Sequence, residues 1–307
     1  MGYIENSQVA FVINPTAGSG LTSSDRRDIE GVMTSFQNHG NFVTSHETLE
    51  PGHATQIAKE IVQKGIPTLI AVGGDGTLNE IINGTTGSEV VVGNIPTGYL
   101  NIWARENGIP TDISKAGEVM LQGQERRIDL GEVNGNKFLQ FANVGFDSEE
   151  YMKVHRPGTV REDSGKATFY KVFAKCLKDG WFYRGHNAHI TLDGREFSTN
   201  LLIGVIGNSR KYGRLTVRDD VVLDDGVFES SFFTGGTAFH FLPEFGRILT
   251  NLPEGKGLLR EKMREGLTIE TAPNDKIGMT IDGNPVGYFD TVEAKVLPKG
   301  QIVLVGK

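Results

Sequence analysis

Thr68-Leu-Ile-Ala-Val-Gly-Gly-Asp-Gly-Thr-Leu-Asn-Glu-Ile-Ile-Asn-Gly84 constrains this chain more than any other stretch. Residues 68–72 form a largely apolar run, too short for a helix, that reads as a buried strand. Leu78, Ile81 and Ile82 then recur at helical spacing, and between the two stand Gly73, Gly74 and Gly76. A strand that turns into a helix through glycines brings backbone N–H groups up to a guest, and the start of the helix favours an anion. Asp75 sits inside that turn, where a carboxylate would repel phosphate unless it serves a metal ion or a proton transfer. An ordinary strand–helix turn is the plainer alternative, yet it needs neither three glycines nor an acid.

Two more loops follow strands in the same way. Val9 to Asn14 is apolar and closes in Asn14-Pro15-Thr16-Ala17-Gly18-Ser19-Gly20, a second phosphate cradle or simply a turn. Glu89 to Ile95 leads into Pro96-Thr97-Gly98-Tyr99-Leu100-Asn101. Helical stripes at Ile29, Val32, Met33 and Phe36, and at Ala54, Ile57, Ala58, Ile61 and Val62, alternate with the strands. Through residue 122 this rhythm predicts βαβ units on a parallel sheet. Ligands of such sheets gather beyond the carboxyl ends of the strands, where the three loops would converge. Thr48, at a strand-to-helix joint, is a ligand contact or a helix cap.

From about Arg126 the rhythm changes. Ile128–Val133, Asn134-Gly135 and Lys137–Asn143 form a hairpin, because Asn-Gly suits a two-residue turn with positive φ. Asp193-Gly194 marks a second hairpin between His189–Leu192 and Phe197–Ile206, and short strands continue through Leu223–Phe233 and Leu267–Ile281. The expected architecture is therefore α/β: a parallel-sheet nucleotide-binding domain over residues 1–126 and an antiparallel β-sandwich over 127–290. The strands Thr291–Leu297 and Gln301–Val305, within 291–307, are expected to return to the first domain.

Several features of the second half bear on chemistry. Asp219-Asp220 and Asp224-Asp225-Gly226, near Asn208-Ser-Arg-Lys-Tyr-Gly213, suit a hard cation such as Mg²⁺ or a hairpin turn with solvated acids. Asp282-Gly283-Asn284 reads as a hairpin turn. Residues 153–184 hold eight basic against three acidic side chains, a local +5 within a chain of net charge −7. With Tyr170, Phe173 and Leu177 at helical spacing, that segment fits an anionic membrane surface or a helix packed on the sandwich with a solvated rim. His186 with His189 reads as surface strand, and the histidines show no metal-ligand spacing.

The balance of 31 basic and 38 acidic residues argues against bulk nucleic-acid binding. Cys176 is the single cysteine, which excludes an internal disulfide and a cysteine-based zinc site. No apolar run nears the ~20 residues needed to span a bilayer, so the expectation is a cytoplasmic enzyme, peripheral at the inner face of a membrane. Neither a Gly-x-Ser-x-Gly elbow nor a Walker A loop is present.

Gly73-Gly74-Asp75-Gly76-Thr77 with Asn79-Glu80 and Asn83-Gly84 resembles the nucleotide loop of the diacylglycerol kinase family of lipid kinases, which includes sphingosine kinase-like members. Phosphofructokinases and NAD kinases carry a similar Gly-Gly-Asp-Gly element, but the Leu-Asn-Glu-Ile-Ile-Asn-Gly continuation favours the lipid kinases. Asn14-Pro15-Thr16-Ala17-Gly18 matches the family's first motif, and Pro96-x-Gly98-x-x-Asn101 its third. The resemblance implies an ATP- and Mg²⁺-dependent kinase that phosphorylates the hydroxyl of a membrane lipid. It places Asn14, Pro15, Thr16, Ala17, Gly18, Thr48, Gly73, Gly74, Gly76, Thr77, Asn79, Glu80, Gly98 and Asn101 at the nucleotide. It also implies Asp75 at the metal or hydroxyl, Asp282 as proton acceptor, and Asp224 and Asp225 at a structural magnesium.

Three positions depart from the family. Tyr99 replaces the threonine after Gly98, Ile102 replaces an aspartate, and Asn284 replaces the glutamate of an Asp-Gly-Glu signature. An amide is no base, so a non-catalytic nucleotide- or lipid-binding protein of the same family is the alternative. A soluble-substrate kinase of the NAD-kinase type is a third reading.

Overall fold

The computed structural model describes residues 4–154, 183–212, 215–216, 221–237, 244, 247, 255 and 257–306. Most of the basic aromatic segment, Asp219 and Asp220 lie outside them. The chain divides into an N-terminal unit, residues 1–130 with 298–307, and a C-terminal unit, residues 131–297.

In the N-terminal unit, β1 (Gln8–Ile13), β2 (Phe42–Glu47), β3 (Thr68–Gly73) and β4 (Val91–Pro96) alternate with α1 (Ser23–Asn38), α2 (His53–Gln63) and α3 (Asp75–Thr85). Then come α4 (Ile102–Glu106), α5 (Ile113–Gln122) and β5 (Glu125–Val133). Strand β1 pairs in parallel with β2 and β3, and β3 with β4. The predicted parallel α/β sheet is thus present. Ile302 and Val303 of the last strand, β17 (Thr291–Leu304), extend it in parallel beside Val91 and Val92. Every residue of β3 is buried, as a central strand covered on both faces requires.

Helix α1 starts at a capping box, in which the Thr22 hydroxyl accepts the Asp25 N–H while the Asp25 carboxylate accepts the Thr22 N–H at 2.8 Å. It buries Ile29, Val32 and Phe36, and Phe36 meets Phe11 of β1 edge-to-face. Gly84, which closes the central motif, is a packing residue: a Cβ there would stand 2.5 Å from the Cβ of Ala58 on α2.

The C-terminal unit is antiparallel. It comprises β6 (Asn136–Phe138), β7 (Phe141–Gly145), α6 (Phe146–Val154), β8 (His186–Leu192), β9 (Arg195–Gly207), the short pair β10 (Lys211–Tyr212) and β11 (Leu215–Thr216), and β12 (Phe228–Thr234). It continues with β13 (Leu258–Met263), β14 (Gly266–Thr271), β15 (Ile277–Ile281) and β16 (Asn284–Phe289). Strand β7 lies between β15 and β9, and β9 pairs with β12 through its C-terminal half and with β8 through its N-terminal half. Phe138, Phe228, Phe232, Ile190, Ile269 and Met279 form its buried core.

Three hairpins turn on the same dipeptide geometry. Asn134-Gly135, Asp193-Gly194 and Asp282-Gly283 all have positive φ at both residues, the two-residue turn that matches strand twist. Each leading side chain also grips a neighbouring segment. Asn134 accepts the Glu293 N–H at 2.8 Å and donates to Thr291 O at 3.0 Å. Asp193 Oδ2 accepts the N–H of Arg264 at 2.8 Å, and its Oδ1 those of Glu265 and Gly266, both at 2.9 Å. Asp282 does the same: Oδ2 accepts from Leu139, and Oδ1 from Gln140 and Phe141, each at 2.9 Å.

His186 is not the surface residue its strand position suggests. It is 7% exposed, with Nε2 2.8 Å from Glu149 Oε1 on α6 and Nδ1 2.8 Å from Asp275 Oδ1 on the turn before β15. The Tyr183 hydroxyl also donates to Glu149, at 3.3 Å. Burial alone would lower the imidazole pKa, but hydrogen bonds and attraction from Glu149 and Asp275 carry it above the ordinary histidine value. Burial, with the charge of Glu149, pushes the Tyr183 phenol up as well. A histidine whose folded pKa exceeds its unfolded one, near 6.5, stabilises fully below that value and loses its contribution as pH rises through the folded pKa. Thermal melts should therefore show a Tm that falls above neutral pH in the wild type. In His186→Gln the decline should be flattened, with an overall loss of about 2–4 kcal/mol from the buried Glu149 left without its cation.

Candidate active site

The three N-terminal loops leave the carboxyl ends of β1, β3 and β4, and hydrogen bonds tie them together. Asn14 donates its backbone N–H to Val72 O at 2.9 Å. Its Oδ1 accepts both the N–H and the hydroxyl of Thr16, while Nδ2 donates to Thr77 Oγ1 at 2.9 Å. One amide thus shapes the first loop and fastens it to α3. Pro15 contributes its carbonyl, which accepts the Leu21 N–H, and the carbonyl of Ala17 accepts that of Gly20. The third loop joins where Thr97 N–H donates to Gly73 O at 3.0 Å.

Glycine makes the convergence possible. A Cβ on Gly98 would lie 2.6 Å from Gly74 Cα, and one on Gly18 would lie 2.6 Å from Thr97 O. Gly18 also has φ +60°, a region that side chains disfavour. Asn101 holds the far side of the third loop: its Oδ1 accepts the Gly98 N–H at 3.0 Å and its Nδ2 donates to Gly98 O at 2.8 Å.

Helix α3 opens into this junction. Gly74 is its N-cap, no side chain caps it, and the first intrahelical bond runs from Leu78 N–H to Gly74 O. The N–H groups of the first helical turn, Asp75 to Thr77, therefore have no intrahelical acceptor. With the positive end of the helix dipole, they form an anion site. None of the three loops carries a lysine or arginine, so backbone amides supply its positive potential.

Asp75 has an occupation that its place in the motif does not reveal. Its Oδ2 accepts the Ile102 N–H at 3.0 Å and its Oδ1 the Trp103 N–H at 3.1 Å. The carboxylate therefore caps α4 and braces the third loop against the central one. Ile102, where the family has an acid, contributes a backbone donor instead. Sequence reading missed this pairing because it joins residues 27 and 28 positions apart through main-chain atoms.

Other predicted residues stand further along. Glu80 Oε2 accepts the Ala54 N–H at 3.2 Å, serving the start of α2, whose N-cap Gly52 has no side chain to do so. Asn79 is buried on α3 and accepts from the Asn83 amide. Thr48 is buried, its N–H bonded to Ile13 O. Because the N-cap of α2 is Gly52, the helix-cap reading of Thr48 is set aside.

In the C-terminal unit, the ends of β15 and β9 and the starts of β7 and β12 are neighbours. The turn carrying Asp282 and Asn284 and the segment carrying Asn208 and Asp225 therefore share one end of the sheet. Three backbone N–H groups hold the Asp282 carboxylate, as they do that of Asp193. Asn284 is exposed. Asp224 and Asp225 are exposed too, and Asp225 closes its turn on the Val227 N–H at 3.0 Å. Among the described residues no three His, Cys, Asp or Glu side chains cluster as a metal site. Asp219 and Asp220, which the sequence groups with Asp224 and Asp225, lie outside the described residues.

Residues 8–133 match the family model of the diacylglycerol kinase catalytic domain. The chain is 28% identical over 285 residues to the diacylglycerol kinase of Bacillus subtilis (strain 168), covering 91% of this chain and 90% of that one. The chain is similar to diacylglycerol kinases over most of its length. The diacylglycerol kinase of Staphylococcus carnosus (strain TM300) is 27% identical over 287 residues, covering 91% and 89% of the two chains. The fold agrees with a solved diacylglycerol kinase of Bacillus anthracis str. Sterne at a TM-score of 0.71, with 18% identity and coverage of 98% of this chain and 97% of that one. A second structure from that organism reaches a TM-score of 0.80 at 21% identity, covering 98% and 95%.

Two outcomes follow from this geometry. Gly98→Ala should weaken binding of a polyphosphate anion, titrated as inorganic tripolyphosphate, at least about tenfold in calorimetry, because its Cβ meets backbone rather than a yielding side chain. Asp282→Asn and Asp193→Asn should each lower unfolding free energy by about 1–3 kcal/mol, since both turn an acceptor oxygen into a donor facing an N–H. A loss of turnover in Asp282→Asn with no loss of stability would mark Asp282 as a base.

Proposed function

We propose that this protein is an ATP-dependent kinase that transfers the γ-phosphoryl group to the hydroxyl of a membrane lipid of the diacylglycerol or sphingoid type. The observation that carries the reading is the junction of the three loops at the uncapped N-terminus of α3. The likeness to diacylglycerol kinases supports a phosphotransferase, and the nucleotide is the phosphoryl donor that such a junction suits.

Phosphoryl transfer asks for positioning and charge stabilisation more than for covalent help from the protein. In this reading the α3 N–H groups and the backbone of Gly18, Gly74, Gly76 and Gly98 hold the polyphosphate. Asn14 and Thr77 keep the cradle closed. Asp75 is the carboxylate at the junction. Each of its oxygens accepts one of the two α4 N–H groups, which fixes the carboxylate beside the place where the acceptor hydroxyl would approach. A loose transition state needs little proton removal before the phosphoryl group departs, so a strong base is dispensable. The described residues do not build a protein-held metal site, and no step is assigned to one.

The second reading, a non-catalytic nucleotide- or lipid-binding member of the family, rests on Asn284, an amide where the family has a glutamate, and on Tyr99 in place of its threonine. Incubation with labelled ATP, Mg²⁺ and vesicles containing diacylglycerol, sphingosine or phosphatidylglycerol separates the two. A labelled lipid is expected from the wild type, with turnover reduced at least about a hundredfold in Asp75→Ala. Activity that emerges only in Asn284→Glu would make the natural protein a binder, and absence of nucleotide affinity would end both readings.

A further inference from the structure

Asn208 directly follows β9 and is 1% exposed. Its backbone N–H donates to Gln140 O at 2.9 Å, and its side-chain Nδ2 donates to Leu223 O at 3.3 Å. The second contact fixes which end of the amide is oxygen, because a carbonyl accepts only from the NH₂. Oδ1 is buried and meets no hydrogen-bond donor. A buried acceptor without a donor costs about 1–3 kcal/mol, so such an atom calls for an explanation.

The surroundings say what kind of donor fits. Gly207 precedes Asn208, and a Cβ there would lie 2.6 Å from Gln140 O, so the ends of β7 and β9 approach through the missing side chain. Gln140 is also one of the residues whose N–H the Asp282 carboxylate accepts, at 2.9 Å. The Asn208 amide, the start of β7 and the turn of Asp282 are thus consecutive neighbours at one end of the sheet. Asp282 spends its oxygens on backbone N–H groups, and Asp225, on the turn before β12, closes on Val227. With both of these described carboxylates engaged, a cationic donor at Oδ1 would be buried without either as its partner, at a high desolvation cost. A neutral hydroxyl incurs no such penalty.

We propose that Asn208 Oδ1 accepts the hydroxyl hydrogen of an alcohol ligand, and is the element of the C-terminal unit that distinguishes a lipid alcohol from its deoxy counterpart. This rests on the lipid-kinase reading for the ligand class, but its test is one of binding and needs no turnover.

The probes are 1,2-dioctanoylglycerol and the analogue in which hydrogen replaces its free hydroxyl, titrated against the full chain in detergent micelles. Wild type is expected to bind the alcohol about tenfold or more tightly. Asn208→Leu, which keeps the volume without the acceptor, should bind the two alike while its affinity for ATP is unchanged. Equal binding of both probes by wild type would show that a water molecule satisfies Oδ1, and retained preference in Asn208→Leu would place discrimination elsewhere; either overturns the inference. Should the leucine variant fail to fold, protein labelled with ¹³C at asparagine Cγ gives the answer without a substitution: the Asn208 resonance must shift with the alcohol and not with the analogue. If wild type discriminates between the probes yet phosphorylates no lipid, the inference stands and the kinase reading falls. If it phosphorylates diacylglycerol without this discrimination, the reverse holds.

Discussion

Gly74 and Gly98 come together so closely that a Cβ on Gly98 would lie 2.6 Å from the Gly74 Cα, and one on Gly74 3.1 Å from the Gly98 Cα. That contact sets the geometry on which the N-terminal unit depends. It lets the loop after β4 lie against the start of α3, and Gly18 brings the loop after β1 to the same place. Three strand ends thereby share one helix N-terminus. The hydrogen bonds of Asn14, Asn101 and Asp75 then hold what the glycines permit, and the result is an anion site made of backbone, with no basic side chain in its loops.

The acids of this chain are used in an unexpected way. Asp75 caps α4, Glu80 serves the start of α2, and Asp193 and Asp282 each gather three backbone N–H groups. Glu244 follows the same habit, accepting from Gly255 and Gly257. A carboxylate with two oxygens and several lone pairs is well suited to satisfying N–H groups at turns and helix starts, where the ladder cannot. The chemical consequence is that motif acids here act chiefly by positioning. That is compatible with phosphoryl transfer, whose barrier falls mainly through orientation and electrostatics. In the C-terminal unit the sharper signal is an acceptor that no backbone group reaches, the Oδ1 of Asn208.

Much of the fold was legible because hydrophobic periodicity is a local property. The stripes at Ile29–Phe36 and Ala54–Ile61 are the buried faces of α1 and α2, and the glycine-flanked runs are β1, β3 and β4. Asn134-Gly135, Asp193-Gly194 and Asp282-Gly283 announced their hairpins through the residues that tolerate positive φ. Spacing could not reveal that these turns also grip distant segments. His186 was misread for the same reason, since its strand pattern carries no trace of Glu149, 37 residues earlier, or Asp275, 89 residues later.

By itself, the amino-acid order determined the parallel α/β half, the antiparallel half, and which glycine-rich loops would stand at the ends of strands. These follow from the periods of helix and strand and from backbone sterics, which act over a few residues. Only the tertiary structure decided what each acid and amide does: Asp75 to α4, Glu80 to α2, Asp282 to the start of β7, and Asn208 turned inward with an oxygen to spare. Hydrogen bonds are short and directional, so the partner of a polar side chain is whichever group the folded chain carries within about 3 Å of it.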